Sequence, residues 1–150
     1  MSKFIDYLVN PFSNLSNDEE TIIEATVNSL WIQALNIVNT GEDDLRINLK
    51  LIRTEIDSTD IDSPIYTERA NIFVAKNFLI PSYKSVKNEI FNTVNLVGTI
   101  SIPTNLQHSK IDTDKVTIDK LNIYSNGHTQ KFDCSVVYSV LKELPSPFAV

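Results

Sequence analysis

Residues 30–52, LWIQALNIVNTGEDDLRINLKLI, constrain the fold more than any other stretch of the chain. Two apolar runs flank a polar turn, Asn39-Thr40-Gly41-Glu42-Asp43-Asp44. In the second run Leu45, Ile47, Leu49 and Leu51 alternate with Arg46, Asn48 and Lys50. A period of two puts one set on a buried face and the other on a wet face, as in a β-strand. The turn between the runs predicts that they pair as a hairpin. No stretch of comparable clarity carries catalytic chemistry.

The same pattern recurs along the chain. Thr21–Val27, Leu30–Val38, Leu45–Ile52, Asn71–Ile80, Ser85–Phe91, Asn95–Ile102, Val116–Tyr124 and Lys131–Leu141 are strand candidates. Ser125-Asn126-Gly127 is a strong turn between the last two. About eight short strands separated by turn signals predict one all-β domain, an antiparallel β-sandwich of Ig-like or jelly-roll type. Only three glycines occur, so Asn, Asp and Ser must make most turns. The expected organisation is an N-terminal arm over 1–20, a sandwich over 21–144 and a tail over 145–150. Phe4, Ile5, Leu8, Val9 and Phe12 make the arm apolar, and Asn10-Pro11 ends any helix within about two turns. Residues 53–70 read as a long acidic loop, an element that in a compact domain commonly has a function.

Composition narrows the class. The chain has 150 residues, enough for one domain with a real core, and a formal charge of −6. A net acidic chain argues against nucleic acid as a partner, because that binding relies on clustered Lys and Arg. No segment approaches the roughly 18–20 apolar residues of a membrane span. The N-terminus lacks the features of a signal peptide, so synthesis in the cytoplasm is expected. Cys134 is the single cysteine and has no internal disulfide partner.

The search for reactive groups returns little. Glycine-rich phosphate loops are absent, and no cofactor or small-molecule substrate is expected. His108 and His128 stand alone beside turns, short of a zinc ligand set. Cys134 falls on the apolar alternation of its strand and reads as core. Asp57, Asp60 and Asp62, with Glu55 near, are closely spaced oxygen donors and form a weak calcium candidate. They lack the glycine and terminal glutamate of a known calcium loop, and calcium needs about six to eight oxygens. Carboxylate pairs for glycoside hydrolysis exist among 19 acidic residues, but no spacing singles one out. Trp31, Tyr66, Tyr83 and Tyr124 are the plausible stacking platforms for a sugar, Trp31 being equally at home in a core or an interface.

The order of elements carries a resemblance. An apolar strand ends in Asn39-Thr40, and the alternating strand Leu45–Leu51 follows. A further apolar strand runs into Ile80-Pro81-Ser82-Tyr83-Lys84-Ser85-Val86. Asp119-Lys120-Leu121-Asn122-Ile123-Tyr124-Ser125 and the closing Val136-Val137-Tyr138-Ser139-Val140 complete the series. Over residues 21–143 this resembles the small β-sandwich virion structural proteins of tailed bacteriophages. The chain departs from them in the 53–70 insertion, the elaboration by a strand at 95–102 and a polar loop at 104–115, the few turn glycines and the arm. The resemblance implies a non-enzymatic protein of the virion, of head-decoration, neck or tail-accessory type. It would assemble with other virion proteins and copies of itself. The arm residues Phe4, Ile5, Leu8, Val9 and Phe12 would order on a neighbour. Two alternatives remain open: a carbohydrate- or receptor-binding adhesive module, and a regulatory β-domain of the host cell.

Overall fold

The computed structural model describes residues 3–82, 92–127 and 131–143. It contains ten strands and one short helix. They are β1 (Lys3–Leu15), β2 (Glu20–Glu24), β3 (Leu30–Asn39), β4 (Leu45–Asp57), β5 (Ile65–Ile80), β6 (Asn92–Asn95), α1 (Leu96–Thr99), β7 (Asn105–Leu106), β8 (His108–Asp112), β9 (Lys115–Ser125) and β10 (Phe132–Glu143). The first sheet runs β1-β10-β3-β6, with β7 also on β3. The second runs β2-β9-β4-β5, with β8 also on β9. Every pairing is antiparallel.

The pairs nest. β1 pairs β10, β2 pairs β9, β3 pairs β6, and β4 pairs β5. The chain is therefore one long antiparallel ribbon, doubled back between β4 and β5. Coiling that ribbon adds the contacts β10–β3 and β9–β4 and separates it into two facing sheets. That is the jelly roll, which decides between the two sandwich types open from the sequence. α1, β7 and β8 are an elaboration between β6 and β9.

Inward side chains fill the space between the sheets. Leu35, Ile37, Phe132 and Val136 come from the first sheet, and Leu45, Ile47, Leu49, Leu121 and Ile123 from the second; all are fully buried. Each contributes roughly 1.5–3 kcal/mol by leaving water. Leu96 of α1 and Leu106 of β7 close the side.

Four expectations need correction. The runs at 30–38 and 45–52 do not pair as a hairpin. β3 lies in the first sheet and β4 in the second, and residues 40–44 arch between them. Asn39 makes the arch specific. Its buried amide donates to the carbonyls of Asp43 and Ile80, both at 3.0 Å, and its Oδ1 accepts from the Gly41 N–H at 3.1 Å. The same Asn-Gly-Asp chemistry serves a hairpin or an inter-sheet arch, so local sequence does not separate them. Second, the long acidic loop 53–70 is largely paired: β4 extends to Asp57 and β5 begins at Ile65. Over Arg53–Asp57 charged and β-branched residues alternate along a part of β4 that pairs with β5 on one side and β9 on the other. Third, residues 95–102 form α1 in place of a strand beyond Asn95, whose side chain caps Val97 N–H. Fourth, 104–115, expected as a polar loop, contains β7 and β8. The strand expected at Ser85–Phe91 lies outside the described residues.

Asparagine replaces glycine at the irregular points, as the composition requires. Asn14 and Asn77 adopt φ of 57° and 56°, in the left-handed region that Asn tolerates. Asn77 marks a bulge in β5, where its N–H donates to Asn48 Oδ1 at 2.8 Å. That bulge buries Asn48 to 4% exposure, although alternation alone puts it on a wet face.

Candidate docking surface

The stretch expected as an arm is, over Lys3–Leu15, the edge strand of the first sheet, in register with β10 from Lys3↔Glu143 to Phe12↔Cys134. Its outward face is apolar and its inward face mixes Phe4, Leu8 and Phe12 with Asp6 and Asn10, so the period of two that marks a strand is hidden. Pro11 fits because an edge strand leaves one side of its backbone unpaired. The five partner candidates divide by parity. Leu8 and Phe12 turn inward and pack on the core. Ile5 and Val9 point outward, each 58% exposed. Phe4 has the inward parity but sits at the strand end, 38% exposed.

Outward-facing neighbours extend the Ile5–Val9 row across three strands. Tyr7 of β1 lies across from Ser139 of β10, which lies across from Trp31 of β3. Leu141 is opposite Ile5, and Val137 opposite Val9. Tyr7, Trp31 and Leu141 are all exposed large apolar side chains. β3 changes phase here. A bulge between Ile32 and Ala34 leaves Gln33 out of register. Its side chain turns outward and donates to Ser139 Oγ at 3.0 Å. Gln33 and Ser139 thus satisfy each other, and the surface around them is apolar.

Two adjoining cavities share Trp31 and Leu141. One, about 420 Å³, is bordered by Ile5, Tyr7, Trp31 and Leu141. The other, about 660 Å³, continues past Trp31 to the end of the sandwich. Lys3, Lys142, His108, Asn28 and Ser29 line it, and no carboxylate does among the described residues. Lys142 also holds Asp6, Nζ to Oδ2 at 2.8 Å. Ser29 Oγ accepts from the His108 N–H at 2.9 Å, and a ring nitrogen of His108, Nδ1, stands 3.0 Å from the Ala25 carbonyl. The cavity wall is therefore fixed by hydrogen bonds between the β2–β3 loop and β8. An apolar floor with a cationic end can hold an apolar side chain flanked by negative charge.

The other candidates separate in space. Asp57 accepts from Thr59, at 2.9 Å from the N–H and 2.6 Å from the hydroxyl, and these bonds hold its pKa below the usual carboxylate value. Burial works against that shift, and Lys115 adds to it. Asp60 Oδ1 accepts from Asp62 N–H at 3.1 Å. These carboxylates thus serve their own turn, and no three metal-ligating side chains gather into a cation site among the described residues. Cys134 is buried, and desolvation pushes its thiol up to about 12, so at neutral pH it is protonated. Trp31 borders both cavities, and Tyr124 lies on the outer face of the second sheet beside Lys50. Tyr66 is exposed near the start of β5. His128 and Tyr83 lie outside the described residues. No helix among the described residues is long and apolar enough to cross a membrane.

Sequence reasoning missed Tyr7, Gln33, Ser139 and Leu141 as parts of one surface. Register between β1, β10 and β3 assembles them, and register is a tertiary property.

No family model matches the chain, and no curated protein matches it. Among solved structures, a chain in the structure of infectious bursal disease virus, Gx strain, superposes with a TM-score of 0.41 at 15% identity, over 92% of this chain and 32% of that one. A chain in the structure of the Gt strain gives 0.29 at 13% identity, over 97% of this chain and 43% of that one. This chain thus spans less than half the length of either. Likeness at this level carries no functional argument.

Proposed function

We propose that this chain is a non-enzymatic structural protein of a tailed-phage virion, of capsid-decoration or head–tail neck type. It works by assembly, through strands, loops and the outer face of its first sheet. One observation carries the reading. A scaffold whose core is closed presents Ile5, Tyr7, Val9, Trp31 and Leu141 as a contiguous apolar surface. Contiguous exposed apolar surface marks a place where another molecule binds. The turn and strand order from Asn39 to Val140 supports the phage-virion class. Function on such folds resides in surface patches.

The test uses purified particles. Mass spectrometry is expected to find the chain at tens of copies or more, on the order set by a symmetric shell or ring. Replacing Ile5 and Val9 by Asp is expected to abolish incorporation while the isolated protein keeps its β-rich circular dichroism. Absence of the chain from particles sinks the reading. Undiminished incorporation of the double variant removes the docking face from it.

Trp31 favours a second reading, a carbohydrate- or receptor-binding module. It stands 40% exposed beside a cavity bearing Asn28 and Ser29. Aromatic faces with amides and hydroxyls alongside suit sugars. A glycan array separates the two, since binding lost in Trp31→Ala would favour this one.

A further inference from the structure

The β4–β5 hairpin ends in a turn that carries Asp60, Ile61 and Asp62. Ile61 is 84% exposed, more than any other large apolar side chain described. Ile61 between Asp60 and Asp62 makes an apolar tip with acidic flanks. The Trp31 groove has the opposite character: an apolar floor of Ile5, Tyr7 and Trp31 that ends at Lys3, Lys142 and His108. We infer that the 60–62 tip of one copy docks in the Trp31 groove of a second copy, Ile61 against the Trp31 floor and the flanking carboxylates toward the lysines. The inference deepens the assembly reading, on which it rests for its biological setting.

The tip and the groove floor belong to different sheets of one chain. Asp57 pairs with Ile65 on one side and Lys115 on the other, and Ser58 N–H donates to the Asp114 carbonyl at 2.7 Å. The base of the turn is thereby fixed to the second sheet. The groove floor of Ile5, Tyr7 and Trp31 belongs to the outer face of the first sheet. Tip and groove nevertheless belong to the same end of the sandwich. His108 is in register with Ile118, and Ile118 with Thr54, close to the Asp57 end of β4. Two copies meeting at this end about a two-fold axis would each present a tip to the other's groove. The same contact is then made twice, and high effective concentration strengthens the second once the first has formed.

Charge sets the sign of the contact. The chain carries a net −6, so unselected surfaces of two copies repel. The groove end carries Lys3 beside a Lys142 already paired with Asp6, and the tip is acidic. Association through this contact should weaken as salt rises through about 0.1–0.5 M, because the pairs lie at a solvent-exposed rim.

Sedimentation of the full chain over a range of concentrations tests this. The wild-type chain is expected to self-associate to a dimer. Ile61→Asp and Trp31→Ala should each weaken association at least tenfold. Both replace exposed side chains, and circular dichroism checks that both fold. Lys3→Glu should weaken it too, and adding Asp62→Lys in the same chain should restore part of the loss. A wild-type chain monomeric at all concentrations overturns the inference, as does association unchanged in Ile61→Asp and Trp31→Ala. Binding of a glycan or an unrelated protein in the groove, without self-association, also overturns it. Particle incorporation separates the two readings. If wild type and Ile61→Asp incorporate equally, the tip contact fails and the virion role stands. If the chain is missing from particles but dimerises through the tip, the reverse holds.

Discussion

The two outer faces of the sandwich treat their side chains differently. On the second sheet, Lys50 lies among partners from the same chain. Its ammonium is 3.3 Å from Glu19, 5.0 Å from the Phe73 ring and 5.6 Å from the Tyr124 ring. Asn122 donates to Glu19 at 2.8 Å and accepts from the Thr21 hydroxyl at 2.7 Å. Aromatic and charged groups there cover one another. On the first sheet, Gln33 and Ser139 form one polar pair, and Ile5, Tyr7, Val9 and Leu141 stay uncovered. A face whose polar groups are satisfied by its own strands has little left to offer a partner. A face with bare apolar side chains gains by being covered. The difference assigns structural work to the Lys50 cluster of the second face and docking to the Ile5–Trp31 surface of the first, although the edge strand β5 of the second sheet also leaves Ile72 and Phe73 exposed.

The largest effect that would test this contrast lies at the rim of the second sheet. Asp119 is 1% exposed and receives a bidentate contact from Arg53 at 2.7 and 3.1 Å and a bond from Gln107 N–H at 3.0 Å. Asp119→Ala leaves the Gln107 N–H without its acceptor and removes the Arg53 pair, and is expected to cost about 3 kcal/mol in urea unfolding. Arg53→Ala should cost at least as much, since it leaves the buried Asp119 carboxylate without its counter-charge. A loss below about 1 kcal/mol for Asp119→Ala would mean that this rim contributes little to closing the fold.

A smaller effect sharpens the contrast within one strand. In β1, Phe12→Ala removes an inward ring packed on the core, with an expected cost of about 2 kcal/mol. Ile5→Ser and Val9→Ser, on the opposite face, should stay within about 0.5 kcal/mol of wild type. Both are read from urea midpoints. Equal losses on the two faces would mean that the outward residues also support the fold, and would weaken their assignment to docking.

Much of this architecture was legible in the residues. β3, β9 and β10 follow from alternation, because each has one face in the core. Cys134 follows from its place in that alternation. The pairing of the strands was not legible, since the Asn39 amide that builds the arch looks like an ordinary hairpin signal. β1 was missed as a strand because Ile5, Tyr7 and Val9 are apolar opposite an inner face that mixes Phe4, Leu8 and Phe12 with Asp6 and Asn10. That same apolar outer face is what makes β1 part of a candidate surface: apolar residues were named there, but their division into core and docking sets needed the β10 register. The acidic stretch was read correctly for composition and wrongly for conformation. Residues 53–57 and 65–70 look like loop because none of them is fully buried, so no buried side reveals their period.

The smallest effect concerns Glu19, which ties β2 to the satisfied face. Its carboxyl is held below the ordinary value of 4.5 first by the Asn122 amide, with burial opposing and Lys50 and Lys120 assisting. A carboxyl whose folded pKa is depressed binds protons less readily folded than unfolded. Its contribution is therefore fully present above the unfolded value, near 4.5, and is lost as pH falls through the lower folded value. Glu19 is 36% exposed at the side chain, so solvent screening keeps the gain small. Glu19→Gln removes the titration while keeping a polar side chain beside Asn122. The stability difference between wild type and Glu19→Gln should accordingly be larger at about pH 6 than at about pH 3, read from urea midpoints. A difference that grows toward acid would mean that the neutral acid is the better-bound form, and the second face would then owe its closure to hydrogen bonds without charge.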